Sequence, residues 1–444
     1  MIHLREHYKG LLKLGLPIMV GQLGIIILSF ADTMMVGRYS TDSLAAASFV
    51  NNMFNLVIVF ATGFSYGLTP VIGNLFGRGE KKRVGETLKN ALLVNGAAAL
   101  ILTFLMFVLY MNIGRMGQPM ELLPLMRPYY ILLLVSLVFI LLFNAFKQFA
   151  EGITDTMTPM FIILGGNLLN IIGNWLLIYG KSGFPEMGLM GAGIATLVSR
   201  IAMLLVFVLI FLTAGRYRKY REGFSAGHLS RKDFSLLSRM GLPVGLQMGM
   251  ETASFSLSTV MVGWLGTVAL AAHQVMLTVG QLGFMMYYGM AAAVAVRASN
   301  FHGRGEMLHV RNTVSAGFRL ILAMAFVTSV SVLLLRDSIG YIFADNAEVA
   351  VMTAHLVIPF VIYQFGDGMQ CNYSNALRGI SDVKMVTLYA FIAYFLISLP
   401  SGYLFGFILD WGLPGIWMSF PLGLTSAGLL FFFRFRRTMS RSMK

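Results

Sequence analysis

Acidic side chains are scarce in this chain, with 19 Asp and Glu against 33 Lys and Arg in 444 residues, and charged residues reach only 12%. Soluble globular domains carry about a quarter, so that class is excluded. The single cysteine, Cys371, provides no disulfide framework and no reading of redox compartment. The seven histidines form no H-E-x-x-H or other zinc spacing; His273 and His355 lie near helix ends, where snorkelling or capping accounts for them. There is no G-x-x-x-x-G-K-S/T loop, which excludes a pump driven by its own ATP hydrolysis. Gly63-Phe64-Ser65-Tyr66-Gly67 matches the G-x-S-x-G nucleophile pattern, but that motif needs a strand–turn–helix setting and here falls in a helical run.

What the chain has in excess is apolar sequence, 57% of the total. Runs long enough to cross hydrocarbon recur at 11–36, 47–74, 91–112, 128–150, 160–180, 188–213, 238–263, 268–298, 313–335, 350–377, 385–409 and 412–433. Residues 1–28 begin like a signal peptide, but the run is too long and lacks a small-residue cleavage site, so it reads as a retained first helix. The net charge of +14 follows topology and not nucleic acid. With the amino terminus inside, 27 of 33 Lys and Arg fall on the cytoplasmic side; Arg38, Arg115, Arg127, Lys181 and Arg336 fall outside, and Arg200 lies within a span. An even number of crossings then places both basic termini in the cytoplasm.

The two halves align at one constant offset of 226 residues. Gly15-Leu16-Pro17 recurs as Gly241-Leu242-Pro243, Met35-Val36-Gly37 as Met261-Val262-Gly263, Leu44-Ala45-Ala46 as Leu270-Ala271-Ala272, and Gly77-Arg78-Gly79-Glu80 as Gly303-Arg304-Gly305-Glu306. Four short motifs sharing one offset indicate a duplication; the offset also sets Ala291 opposite Ser65, against a nucleophilic serine. Each half holds six spans, so both enter the membrane in the same orientation. The fold expected is all-α and membrane-embedded: twelve helices in two homologous six-helix bundles related by a pseudo-twofold axis along the membrane normal. Residues 1–213 form the amino-terminal lobe, 214–237 a basic cytoplasmic linker, and 238–444 the carboxy-terminal lobe with its basic tail. Pro17 and Pro243 free a carbonyl early in spans 1 and 7 and either bend there as hinges or simply shape their helices. Gly241, Gly245 and Gly249 make a small-residue stripe for contact within the bundle, not between monomers.

Three carboxylates fall inside spans: Asp32, Glu251 and Asp367. A charge at bilayer depth costs at least ~2.5–3.5 kcal/mol, so it persists where it faces a cavity, a partner or an ion path. Glu251 shares a polar stripe with Ser254 and Ser258, and no Lys or Arg follows Arg239 at the start of its span, which suits an acid that exchanges a proton; the alternative is a permanently protonated structural acid. Asp367 shares a face with Tyr363, Gln370, Cys371 and Ser374; these include the oxygen ligands that Na⁺-sized ions accept, and Tyr363 either offers a ring face to a cation or merely packs. Asp32 lies ~7 Å from the outer boundary, open equally to a site and to a solvated interfacial role. Asn167, Asn170 and Asn174 share one face of span 5, as ion-site lining or as glue between helices. Thirty-one methionines and many phenylalanines, among them Met248, Met250, Met276, Phe284, Met285 and Met286, furnish adaptable apolar surface.

Over its whole length the chain resembles the multidrug and toxic compound extrusion (MATE) transporters, closest to the bacterial NorM-like branch. The likeness rests on the two six-span halves, Gly-Leu-Pro opening spans 1 and 7, the repeated Gly-Arg-Gly-Glu loop, Leu270-Ala271-Ala272-His273-Gln274, Ala376-Leu377-Arg378-Gly379, and the eight residues from Pro243 to Glu251. The resemblance implies two lobes forming a V-shaped cleft that alternates between outward- and inward-facing states, exporting amphipathic organic cations as Na⁺ or H⁺ enters. It places Glu251, Asp367 and Tyr363 at a cation site in the carboxy-terminal lobe, with Na⁺ on the two acids as one option, and Asp32, Asn170, Asn174 and Thr196 at a second site. Some members, notably archaeal ones, carry an aspartate where Asn174 stands, so the second site is less acidic here. Met248, Phe284, Met285 and Gln274 are assigned to the substrate cleft. The expected protein is a monomer in the bacterial inner membrane with no cofactor, no nucleic-acid partner and no enzymatic activity. The alternatives are a lipid-linked oligosaccharide flippase of the same superfamily, which would carry basic residues in its cavity, an intramembrane enzyme, or a passive channel.

Overall fold

In a computed structural model the chain is helical throughout, and residues 2–117, 119–343 and 345–442 are described. Met443 and Lys444, the end of the basic tail, lie outside them. The principal helices are α1 (Ile2–Tyr39), α2 (Thr41–Gly77, interrupted at Gly67), α3 (Lys81–Met111), α4 (Met120–Gly152), α5 (Met157–Ile178), α6 (Leu189–Thr213), α7 (Arg231–Gly263), α8 (Thr267–Gly303), α9 (Met307–Leu334), α10 (Val357–Gly379), α11 (Lys384–Ile408) and α12 (Gly412–Ser442). Ten are apolar enough over membrane length to span on hydropathy alone. Two differ from the expected pattern. The run 350–377 is broken: a short helix, Ala347–His355, meets α10 at 47°. Asn346 caps that short helix, its Oδ1 accepting from Glu348 N at 2.8 Å. α7 is long enough but too polar, because Gln247, Glu251, Ser254, Ser256 and Ser258 occupy one span. The polarity of this helix is therefore concentrated around its acid.

The duplication is visible in the backbone. Gly79 (φ +79°) and Gly305 (φ +77°) make the same left-handed turn in the two Gly-Arg-Gly-Glu loops, a conformation that glycine adopts without a Cβ clash. Glu80 N then bonds Leu75 O, and Glu306 N bonds Phe301 O, both at 3.0 Å. A further pair stands at an offset of 227. Thr154 and Ser381 are both left-handed, and Asp155 N and Asp382 N close back onto Ala150 O and Leu377 O at 2.8 and 2.9 Å.

Packing groups the chain into two compact units, residues 1–19 with 246–444, and residues 20–245. The divisions fall inside α1 and α7, not in the linker. In the first unit Met290 lies against Gly15, Met19 lies against Gly289, and His7 Nδ1 is 2.9 Å from Thr313 Oγ1. In the second, Gly241 and Gly245, two members of the glycine stripe, lie against the backbone of α2 at Phe64 and Phe60. α11 is not a uniform α-helix: Ile392–Ser398 and Leu404–Ile408 are wound as π-helix around Leu399–Tyr403. Such turns re-aim side chains and are common at functional sites.

Candidate functional site

Glu251 lies on α7, and its carboxylate meets α10 and α11. Gln370 Nε2 donates to Glu251 Oε2 at 3.0 Å and to the Tyr394 hydroxyl at 2.8 Å, and that hydroxyl also stands beside Glu251. Tyr394 is presented by the first π-wound stretch of α11. Asp367 is one turn before Gln370 on α10 and only 1% exposed. Cys371 Sγ donates to its Oδ1 at 3.7 Å, and Tyr363 lies beside the carboxyl. The two acids are close enough to repel one another. Among the described residues, no Lys or Arg is paired with either. Asp367 Oδ2 and Gln370 Oε1 are buried acceptors with no hydrogen-bond donor. A buried anion without a counter-charge costs several kcal/mol, as do orphaned acceptors beside it. A proton or a small hard cation would satisfy these oxygens together.

In the second unit Asn174 Nδ2 donates to Asp32 Oδ1 at 2.5 Å and to Asn170 Oδ1 at 3.1 Å. Asn170 Nδ2 in turn reaches Thr196 Oγ1 at 3.2 Å and Ser199 Oγ at 3.4 Å. The residues grouped by resemblance around Asp32 thus form one connected chain. Asn167 stands apart, facing α1 at Gly24. Arg200 and Tyr129 lie within electrostatic reach of Asp32, and Arg200 Nη1 donates to Ser136 Oγ at 2.7 Å. This acid therefore has a cation in its surroundings, whereas Glu251 and Asp367 do not. Spacing along one helix cannot reveal Arg200 as its neighbour, because the contact joins α1 to α6.

The remaining assignments scatter. Met248, Phe284 and Met285 are half-buried in the unit that holds Glu251, while Gln274 is exposed. Pro17 and Pro243 lie inside continuous helices. His355 is exposed at a helix end, in keeping with capping. His273 is not an end residue snorkelling outward: it is fully buried, 2.9 Å from Thr259 Oγ1, and accepts from Trp417 Nε1 at 3.0 Å. Its ring bridges α7 and α12. Ser65 is buried and donates to Asn95 Oδ1 at 2.6 Å. Arg200, half-buried, is not the only cation drawn into the helices. Lys147, Arg297 and Arg378 are also drawn into α4, α8 and α10, in each case within the last two turns. Lys147 reaches Glu151 at 3.8 Å, a pair one turn apart in a run that reads as simply apolar. Among the described residues, no group of three or more His, Cys, Asp or Glu is placed to hold a metal ion.

The MatE family model matches residues 17–176 and again 243–404, so the two matches begin at Pro17 and at Pro243. The chain is 30% identical to the multidrug resistance protein NorM of Photobacterium profundum over 98% of its own length and 96% of that protein's. A mutant of the Vibrio cholerae MATE transporter VcmN has a similar fold, with TM-score 0.90 and 16% identity over 99% of both chains. So does a MOP superfamily transporter from Pyrococcus furiosus, with TM-score 0.88 and 20% identity over 99% of this chain and 97% of that one.

Proposed function

Because the chain belongs to the MATE family, as a NorM-type multidrug transporter with the family's twelve-helix membrane fold and not an enzyme, we propose that it is a secondary active antiporter. It exports amphipathic organic cations against Na⁺ or H⁺ by alternating access, and it does so as a monomer with both termini cytoplasmic. The lobes that alternate derive from the duplicated halves, 1–213 and 238–444. Pro17 and Pro243 serve as their bending points.

The observation that carries this reading is the pair of buried Asp367 and half-buried Glu251, neither with a cationic partner and both beside the orphaned acceptors Asp367 Oδ2 and Gln370 Oε1. Such a site needs positive charge. A coupling ion and a cationic drug compete for it, either at the acids or through the conformation the acids favour. The inward-moving ion then displaces the drug outward, and the neutralised acids permit return. The coupling site is assigned to Glu251, Asp367, Gln370, Tyr363 and Tyr394. Asp32 with Asn174, Asn170 and Thr196 is the secondary site, already partly compensated by Arg200. Met248, Phe284, Met285 and Gln274 remain the proposed cleft surface. The buried cations Lys147 and Arg378 and the half-buried Arg297 lie near helix ends, and Arg200 at mid-span is engaged by Ser136. That distribution does not favour a cavity for a lipid-linked pyrophosphate.

The test is efflux of a fluorescent organic cation from proteoliposomes under a Na⁺ gradient or a pH gradient, imposed separately. Wild type should respond to one of them, and Glu251→Gln and Asp367→Asn should abolish the response while keeping their elution profile. No flux of organic cation under either gradient would overturn the proposal.

A further inference from the structure

The outer faces of α5 and α6 enclose a groove of about 540 Å³. Its α5 side is a stripe of every fourth residue, Met157, Phe161, Gly165 and Leu169, and its α6 side is lined by Val206 and Ile210. Four-residue spacing keeps these side chains on one helix face. Phe161 is 61% exposed, and a Cβ built on Gly165 would meet nothing within 4 Å. The floor is open because this position has no side chain, while neighbouring Gly166 is filled by Met203. From Met157 to Leu169 the groove runs ~18 Å at the helical rise, against ~15 Å for one leaflet of a ~30 Å hydrocarbon core. It is therefore one acyl chain long.

One end is charged. Arg216 lines the groove beside Met157 and Thr158, and its side chain is 58% exposed. It donates to Thr158 Oγ1 at 2.6 Å and lies 3.5 Å from Asp155 Oδ2. Asp155 already accepts from Tyr217 and from Thr158, so its charge is shared among several donors. Arg218, Lys219 and Arg221 follow directly in sequence. We propose that this groove is a binding site for an anionic phospholipid, its acyl chain lying along Gly165 and its headgroup phosphate meeting Arg216. The occupant is a lipid and not a soluble phosphate, since an apolar slot one leaflet long lies directly below the cation. With the topology proposed above, it belongs to the cytoplasmic leaflet.

The experiment is native mass spectrometry of the full chain, delipidated in detergent and re-exposed to phosphatidylglycerol or phosphatidylcholine of equal chain length. Wild type should retain phosphatidylglycerol with about fivefold preference, the share expected of one basic residue near a membrane surface. Gly165→Leu fills the floor without touching the ion pair and should lose both lipids at unchanged melting temperature. Arg216→Gln should keep binding but lose the preference. A diazirine-acyl phosphatidylglycerol should label α5 and α6 at Phe161, Leu169 or Val206. Equal retention by wild type and Gly165→Leu, no headgroup preference in wild type, or labelling confined to other helices would each overturn the proposal.

Discussion

Pro17 and Pro243 stand at the same place relative to the division of the molecule: Pro17 lies three residues before Val20 and Pro243 three residues before Leu246, where α1 and α7 pass from one compact unit to the other. Each proline deletes a helix hydrogen bond and frees a carbonyl. A helix shared by two bodies must absorb at that point any motion between them. Replacing either proline by alanine restores the bond and stiffens the passage. Pro17→Ala and Pro243→Ala should slow gradient-driven efflux by roughly 3- to 10-fold each, as hinge substitutions do. Equilibrium binding of the fluorescent cation should be unchanged. Unaltered turnover in both variants would remove the hinge role.

Gln370 touches both Glu251 and Tyr394 with one amide nitrogen. A hydrogen bond to a charged group contributes ~1.5–3 kcal/mol. Gln370→Leu should therefore raise the ion concentration needed for half-maximal efflux by about tenfold or more, a factor that corresponds to ~1.4 kcal/mol. Gln370→Glu adds a third acid and should instead tighten binding of the coupling cation if that ion is Na⁺. The measurement is the ion dependence of efflux in both variants, with melting temperature as a control for folding.

Asp382 offers a pH test outside the spans. Burial pushes its carboxyl up, but bonds from Arg434 (2.7 and 2.9 Å) and Thr438 (2.7 Å), together with the guanidinium charge, hold it below the ordinary carboxylate range. A group depressed in the folded state stabilises above its unfolded value and loses that contribution as pH falls through its folded value. The melting temperature of the wild type should decline below roughly pH 4. Asp382→Asn should start lower at pH 7 and show a shallower acid slope. Identical slopes would show that the Arg434 pair does not couple to stability.

Gly67 gives a steric test. A Cβ there would run into the backbone of Gly241 and Met240, so no side-chain rotation can relieve it. Gly67→Val should destabilise by about 1–3 kcal/mol or more through overpacking, read as a lower melting temperature and poorer yield. Gly165→Leu, similar in bulk but placed over open space, serves as its matched control.

The span pattern, the duplication and the three embedded acids were legible because charge is so rare in this chain that each exception stands out. Glu251 in particular sits in a long helix that hydropathy alone does not carry across a membrane. What periodicity could not supply was partnership between helices. The 3.6-residue repeat places Gln370 and Tyr363 on the face of Asp367, but Tyr394 reaches Glu251 from a π-wound stretch whose spacing that repeat does not describe. Arg200 was visible as a charge, yet its nearness to Asp32 depends on how α6 packs. The paired turns at Asp155 and Asp382 escaped because one extra residue shifts their offset from 226 to 227.

The division inside α1 and α7 bears on how the protein is made. Residues 1–19 precede the rest of the first half in the chain, yet they group with residues 246–444. Throughout synthesis of the first half, the buried faces of Leu11, Leu14 and Ile18 must wait in lipid or on an insertion factor. A gene split in the 214–237 linker would consequently yield two fragments that each hold part of the other's core. Neither should mature alone, whereas simultaneous insertion of both should restore a working transporter.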